Sequence, residues 1–393
     1  MITVVGCDGS PLPQRAMDRL DAAVLVAGGR RHLEAVRPPA HVRQVVMGDM
    51  TAALDAVDAA AGDGAVVLAS GDPGFFGIVR ALRERGHAPE VLPAVSSVAG
   101  AFARVGLPWD DVVVVSAHGR NGRDPRVAVN ACRAMAKTAV FTGPGCGPAE
   151  LAAELAGWDR TLYVAERLGA PDERVTRCTP AEAAGRDWAE PNVVLAVREP
   201  ASGGVRAHNQ PAAPPSAWAT DAFEHRAGMI TKWEVRAVAL ARLRPTLGTL
   251  VWDVGAGSGS VGIECAAHHA AVIAIERDPA ACDLIRRNAG EADVRVVEAS
   301  APEAFAGLPD PDSVFVGGGG LDALNGVLVR RPVTVVATYA AVDRAARARR
   351  LLADAGYAVE GVQLAASRFS DLPGGSFRLD AQNPVFLLSG RLG

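Results

Sequence analysis

Lysine is almost absent from this chain. Of its 40 basic residues only Lys137 and Lys232 are lysine, and the rest are arginine. A GC-rich genome accounts for most of that bias. Arginine is nevertheless the better partner for carboxylates, because its planar fork binds them bidentately. Bulk positive charge is also missing. A net charge of -4 excludes a nucleic-acid binder that works by charge alone. The six cysteines (7, 132, 146, 178, 265 and 282) stand singly, with no C-x-x-C pair. Neither a metal site nor a disulfide framework is expected from them, which fits a reducing compartment. No apolar run approaches the roughly 18 residues of a membrane helix. The start, Met1-Ile-Thr-Val-Val5, lacks the basic region of a signal peptide. A soluble, cytoplasmic protein with no membrane or nucleic-acid partner is the expectation.

What is present suits two globular domains: 393 residues, 49% apolar and 21% charged. The clearest break is the Pro-, Gly- and Ala-rich stretch from Glu199 to Ser216, which carries no apolar period. It predicts a domain over 1–200, a linker over 201–216 and a domain over 217–393. In the first half, short apolar runs at Ile2–Val5, Ala23–Val26, Ala65–Leu68, Val112–Val115, Ala139–Phe141, Leu162–Ala165 and Val193–Val197 alternate with helical stretches such as Met50–Ala61 and Pro148–Leu155. This is an α/β pattern with parallel strands in its early part. The second half predicts strands at 249–253, 271–275, 294–298, 313–316 and 333–337. A helix near 342–355 and a strand pair near 358–366 and 384–389 follow. Such an alternation is a doubly wound sheet, with ligands at the carboxyl ends of its strands.

The densest chemistry sits at the first of these later strands. Thr249-Leu-Val-Trp-Asp253 ends in an acid and opens into Gly255, Gly257 and Gly259, which let backbone approach a ligand and free amides at a helix start. Glu276 ends the next apolar run, where it can accept both hydroxyls of a ribose. The dinucleotide fingerprint wants a glycine at 260, which is Ser. Asp253 suits a ligand with a cationic amino-acid tail, so S-adenosyl-L-methionine fits better than a nicotinamide. Ala299 and Ser300 follow the third strand, where the adenine edge is usually met. Thr231-Lys-Trp-Glu234 reads as a capping box opening a helix to about Leu243. Lys232 and Arg236 on it either face an acidic substrate or are solvated. After the fourth strand, Gly317 and Gly318 begin a run of four glycines, either a flexible loop or an open floor for a large flat substrate. In the first half, Ser70-Gly71-Asp72-Pro-Gly74, Pro93-Ala-Val-Ser96-Ser97 and Ser116-Ala-His118-Gly-Arg120 each follow a strand. One such segment alone reads as a plain turn; three in order point to a ligand.

These segments, with Gly106-Leu-Pro-Trp-Asp110, resemble the tetrapyrrole methyltransferases of cobalamin biosynthesis, most nearly those that methylate carbon 5 of the corrin precursor. Gly228-Met-Ile-Thr-Lys-Trp-Glu-Val-Arg236, Trp252–Ser260, Ala274-Ile-Glu-Arg-Asp278 and Phe315-Val-Gly-Gly318 resemble the carbon-15 methyltransferases and decarboxylases of the same pathway. The resemblance covers nearly the whole chain except the linker. It implies an N-terminal tetrapyrrole-methylase-type α/β domain followed by a Rossmann-like class I S-adenosylmethionine methyltransferase domain. It also implies methylation of a polycarboxylate tetrapyrrole, precorrin-6Y, at ring carbons 5 and 15 with loss of CO2 from the ring C acetate, giving precorrin-8X. Ser70, Gly71, Asp72, Ser96, Ser97, Thr231, Asp253, Gly255, Gly257, Gly259, Glu276, Ala299 and Ser300 are the implied cofactor positions. His118, Arg120, Lys232, Arg236, Gly317 and Gly318 are the substrate-facing candidates. No metal and no Ser-His-Asp constellation is implied, and a homo-oligomer is expected. The first loop departs from the family's Gly-x-Gly-x-Gly, reading Gly6-Cys-Asp8-Gly9-Ser10. Two rivals stand beside this reading: a methyltransferase of another class acting on RNA or a small molecule, and a non-catalytic N-terminal domain that only holds the corrinoid.

Overall fold

The structure, a computed structural model, describes residues 1–117, 124–199, 223–225 and 230–393. The expected linker 201–216 and the candidates His118 and Arg120 lie outside the described residues. The chain divides into two compact units. One holds Met1–Asp110, Ala139–Ala149 and Thr161–Ala196; the other holds Asp111–Thr138, Glu150–Arg160 and Val197–Gly393. Two stretches from the first half of the sequence thus group with the second half.

The chain opens with five strands, β1 (Ile2–Cys7), β2 (Leu25–Gly28), β3 (Arg43–Val46), β4 (Ala65–Ser70) and β5 (Glu90–Leu92), in a sheet of order β3-β2-β4-β1-β5. All its pairings are parallel. Such sheets are covered on both faces, so the central strands are continuous apolar runs; Val4, Val26 and Val67 are fully buried. Strands β6 (Val113–Ser116), β7 (Lys137–Phe141), β8 (Thr161–Glu166), β9 (Arg174–Cys178) and β10 (Asn192–Val197) form a second sheet of order β6-β7-β10-β8-β9. Lys137, at the start of β7, is buried and its Nζ donates to Asp111 at 2.5 Å.

The second unit is built on β11 (Leu250–Val254), β12 (Ala271–Glu276), β13 (Val294–Glu298), β14 (Ser313–Val316), β15 (Thr334–Tyr339), β16 (Ala358–Leu364) and β19 (Val385–Arg391). Their order is β13-β12-β11-β14-β15-β19-β16, parallel except for β19, which runs antiparallel to both neighbours. A hairpin of β17 (Ser367–Asp371) and β18 (Phe377–Ala381) stands apart from this sheet. Trp252 is fully buried against Phe305, ring centroids 5.0 Å apart, and anchors the larger core cluster of the unit. The order reverses between β11 and β14, which makes their carboxyl ends the switch point where ligands bind in such sheets.

Arg160 explains why 150–160 belongs to this unit. Its side chain is wholly buried, donates to the carbonyls of Cys132, Arg133 and Asp159 at 2.7 Å each, and pairs with Asp293. Removing it takes the nearer cation from Asp293, which keeps Arg198 at 3.7 Å, and leaves the carbonyls of Cys132 and Arg133 without this buried donor, so Arg160→Ala is expected to cost about 3–5 kcal/mol. Urea unfolding of the full chain measures this, and a loss below about 1 kcal/mol would show that the site is wet enough to behave like a surface pair.

Candidate functional site

A cavity of about 840 Å³ lies at the carboxyl ends of β11 to β14. Gly255, Glu276, Ala299, Ser300 and Gly318 of the sequence-derived set line it, together with Ile275, Arg277, Ala301, Pro302, Glu303, Gly319, Gly320, Asp322 and Arg344. Its floor depends on two glycines. A Cβ on Gly255 would lie 2.5 Å from Gly318 Cα, and Gly255 has φ +67°, so the two loops meet backbone to backbone. Glu276 enters from the side. Its Oε2 accepts from the Gly257 N–H at 3.0 Å, and its Oε1 accepts from the amides of Arg277 at 2.8 Å and Asp278 at 3.0 Å. A carboxylate offers about four acceptor positions. Glu276 therefore keeps about one for a ligand, not the pair that both hydroxyls of a ribose would use. The Ala299 amide donates to the Glu276 carbonyl at 2.9 Å, which leaves Ser300, exposed beside it, as the freer polar group.

Seven expected positions fall elsewhere. Asp253 is not at the mouth: it is buried under the glycine loop, and its Oδ2 accepts from the Gly262 N–H at 2.8 Å. Burial pushes its carboxyl up from 3.8 to about 7, with the Glu276 charge adding to the rise and the Gly262 bond opposing it. It fixes the loop from beneath and presents no exposed charge to a cationic tail. Arg236, expected to face solvent or substrate, is fully buried: its Nε donates to Glu264 Oε1 at 2.7 Å and its guanidinium stacks 5.2 Å from the Phe223 ring centroid. Its Nη1 holds the Thr231 carbonyl at 2.5 Å. The capping box does not form, because the helix begins at Trp233 with Lys232 as an N-cap that makes no side-chain cap bond, and Glu234 pairs with Arg368. Lys232 Nζ donates to the Asn383 carbonyl at 2.9 Å. Thr231, Gly257, Gly259 and Gly317 do not line the cavity. Gly259 packs on Ile285 at the start of the helix Ser260–Ala267, and Gly317 packs on Phe315.

In the first unit, the turns after β1, β4 and β5 come together. Gly71, with φ +57°, packs on Val95, Ser96 and Ser97, and a Cβ on Gly6 would lie 2.1 Å from the Gly71 carbonyl oxygen. Asp72 Oδ1 accepts from the Gly74 N–H at 2.8 Å, closing the turn on itself. Ser96 is the N-cap of the helix Ser97–Val105, its Oγ accepting from the Ala99 N–H at 3.1 Å. Three residues here were missed from sequence. Asp8 ties the altered first loop to the β5 turn, accepting from Ser10 at 2.9 Å and Val95 at 3.2 Å. Arg31 donates to Ser70 Oγ at 2.6 Å, and His32 Nε2 lies 3.3 Å from the same oxygen. Burial, helped by the Arg31 charge, pulls His32 down to about 4, so its ring is neutral at pH 7. The signal was present as Arg30-Arg31-His32 directly after the Gly28-Gly29 end of β2.

Comparison with known proteins decides the family. Residues 3–184 match the Tetrapyrrole (Corrin/Porphyrin) Methylases, and residues 221–378 match the Precorrin methyltransferase domain. A Sinorhizobium precorrin-6Y C(5,15)-methyltransferase [decarboxylating] is 38% identical over 339 residues, 81% of this chain and 78% of that protein. The chain belongs to the precorrin-6Y C5,15-methyltransferase (decarboxylating) family. Single-function proteins match each half of this decarboxylating methyltransferase separately. A Salmonella typhimurium cobalt-precorrin-7 C(5)-methyltransferase is 32% identical over 51% of this chain and 100% of its own length. A probable cobalt-precorrin-6B C(15)-methyltransferase (decarboxylating) of Pyrobaculum calidifontis is 36% identical over 42% of this chain and 91% of its own.

The position of Asp253 sets a pH dependence for this family member. Between its ordinary value of 3.8 and about 7, the folded chain keeps a proton that the unfolded chain has released. Its contribution to stability therefore falls as pH rises through that window and levels off above it. Asp253→Asn keeps an acceptor for the Gly262 amide and removes the titration. Denaturant unfolding from pH 4 to 8 should show a variant whose stability exceeds the wild-type trend progressively as pH rises to about 7, the slopes differing by up to about one proton. Parallel curves would place the wild-type carboxyl in contact with solvent.

Proposed function

We propose that the chain methylates precorrin-6Y at carbons 5 and 15 and removes CO2 from the ring C acetate, giving precorrin-8X, with S-adenosyl-L-methionine as donor. Carbon 5 is assigned to residues 1–200, carbon 15 and decarboxylation to 217–393, and the stretch 201–216 is taken as the join. The cavity at the switch point of the second unit carries the reading, because it gathers Gly255, Glu276, Ala299, Ser300 and Gly318 at one place.

These residues fit the cofactor. Glu276, pinned by three amides, has an acceptor left for a ribose hydroxyl; Ser300 can meet the base; and the Gly255–Gly318 contact keeps side chains out of the room the ligand needs. Bound there, the cofactor supplies an activated methyl group. The chain's own task is alignment, which alone can lower a barrier by about 7–11 kcal/mol. Asp253 and Glu276 serve it by holding both sides of the glycine loop. In decarboxylation, the electron pair of the breaking C–C bond passes into the conjugated macrocycle as CO2 leaves, and the carbon then takes a proton. The macrocycle is the electron sink and water can supply the proton, so no side chain is assigned to this step. The turns around Gly71, Asp72 and Ser96 are assigned to the donor for carbon 5.

Mass spectrometry of the product from precorrin-6Y tests the reading: two added methyl groups and one lost CO2 are expected. Glu276→Ala should weaken S-adenosylmethionine binding at the second site by about ten- to a hundredfold, since bonds to charged groups are worth about 1.5–3 kcal/mol. Asp72→Ala, which opens the turn at Gly74, should abolish methylation at carbon 5 and leave carbon 15 intact. Normal methylation at both carbons in Asp72→Ala would remove Asp72 from the carbon-5 site and leave the reading of the first domain as a corrinoid scaffold standing.

A further inference from the structure

The cavity of the second unit has two ends. Glu276 and Arg277 stand at the carboxyl end of β12, and Arg344 stands beyond β15, on the helix Val342–Asp354, with Gly318–Gly320 between them. Its lining carries three carboxylates, Glu276, Glu303 and Asp322, against two cations, Arg277 and Arg344. Arg277 follows Glu276 in sequence and shares the ribose end. Arg344 is the cation on the far side of the glycine floor, where the acceptor has to lie if the donor occupies the β11–β12 side. Among the described residues no side chain forms an ion pair with Arg344. The basic residues that the sequence offered for substrate binding in this unit are engaged elsewhere: Arg236 with Glu264, Lys232 with the Asn383 carbonyl.

An unpaired guanidinium at a cavity wall presents a planar fork of donors, the match for a carboxylate. We propose that Arg344 binds one carboxylate of the tetrapyrrole substrate and thereby selects which edge of the macrocycle lies over Gly318–Gly320. Glu303 and Asp322 sharpen the choice, because a macrocycle turned with its carboxylates toward them meets like charge. This inference rests on the carbon-15 function proposed above. The carboxylate of S-adenosylmethionine is the other source of the same chemistry, and direct titration separates the two.

The test compares Arg344→Ala and Arg344→Lys with Arg349→Ala in the full chain. The last removes the same charge from the same helix at a residue outside the cavity lining. With precorrin-6Y as substrate, Arg344→Ala should raise KM for carbon-15 methylation about ten- to a hundredfold. It should leave kcat within about threefold, as expected for loss of uniform binding. Arg344→Lys should recover part of the loss, and Arg349→Ala should match wild type. Affinity for S-adenosylmethionine, measured by isothermal titration, should be equal in all four proteins. Unchanged KM in Arg344→Ala, an equal rise in Arg349→Ala, or weakened cofactor binding in Arg344→Ala would each overturn the assignment. Failure of the wild-type chain to methylate precorrin-6Y would instead remove the function on which it rests.

Discussion

Backbone meeting backbone is the constraint on which the second unit depends. Gly255 and Gly318 close the ends of β11 and β14, the two strands where the sheet order reverses, and no side chain fits at their contact. The loop so placed is then pinned twice, by Asp253 from below through Gly262 and by Glu276 from the side through Gly257. Both carboxylates spend hydrogen bonds on the protein's own amides before any ligand arrives. Their first contribution is to preorganise the site, and ligand recognition is left to what remains of their acceptor capacity.

The same device recurs in the first unit. Gly6, Gly71 and Ala94 converge at the ends of β1, β4 and β5, and a Cβ on Gly9 would lie 2.1 Å from the Gly169 carbonyl oxygen. The first loop departs from the family's glycine pattern, yet Asp8 closes it on Ser10 and joins it to the neighbouring turn through the Val95 N–H. A carboxylate has taken over the task of holding the loop, and the loop stays beside the Ser70–Asp72 turn.

Most of the architecture was legible because buried strands are short apolar runs. All seven strands expected in the first half are present within a few residues of their expected bounds. The strands that went unread there, β3, β5 and β9, are each at the edge of a sheet. Edge strands are wetted on one side and carry charge, as in Arg43-Gln-Val-Val46 and Arg174-Val-Thr-Arg-Cys178, so no apolar period marks them. The hairpin β17–β18 escaped for the same reason. The site was legible in its backbone and less so in its charges. Gly255 was read as letting backbone approach a ligand and Gly318 as part of an open floor or flexible loop, and the two instead meet each other; nor does sequence say which way a side chain points. Arg236 read as a surface cation and became a buried strut, because Glu264, 28 residues on, lies beside it only after folding. Arg344 carried no motif at all; only the sheet order brings it to the cavity. The capping box failed because the N-cap falls on Lys232 rather than Thr231 and Glu234 is held by Arg368.

The burial of Lys137 has a practical consequence. With its amine held by Asp111 inside the fold, Lys232 is the other lysine amine that the sequence offers to reagents. An amine-reactive dye would therefore report chiefly on Lys232, in the second unit. The second unit would carry one fluorophore at a known position with no residue changed, a labelling scheme that a chain of ordinary lysine content does not permit.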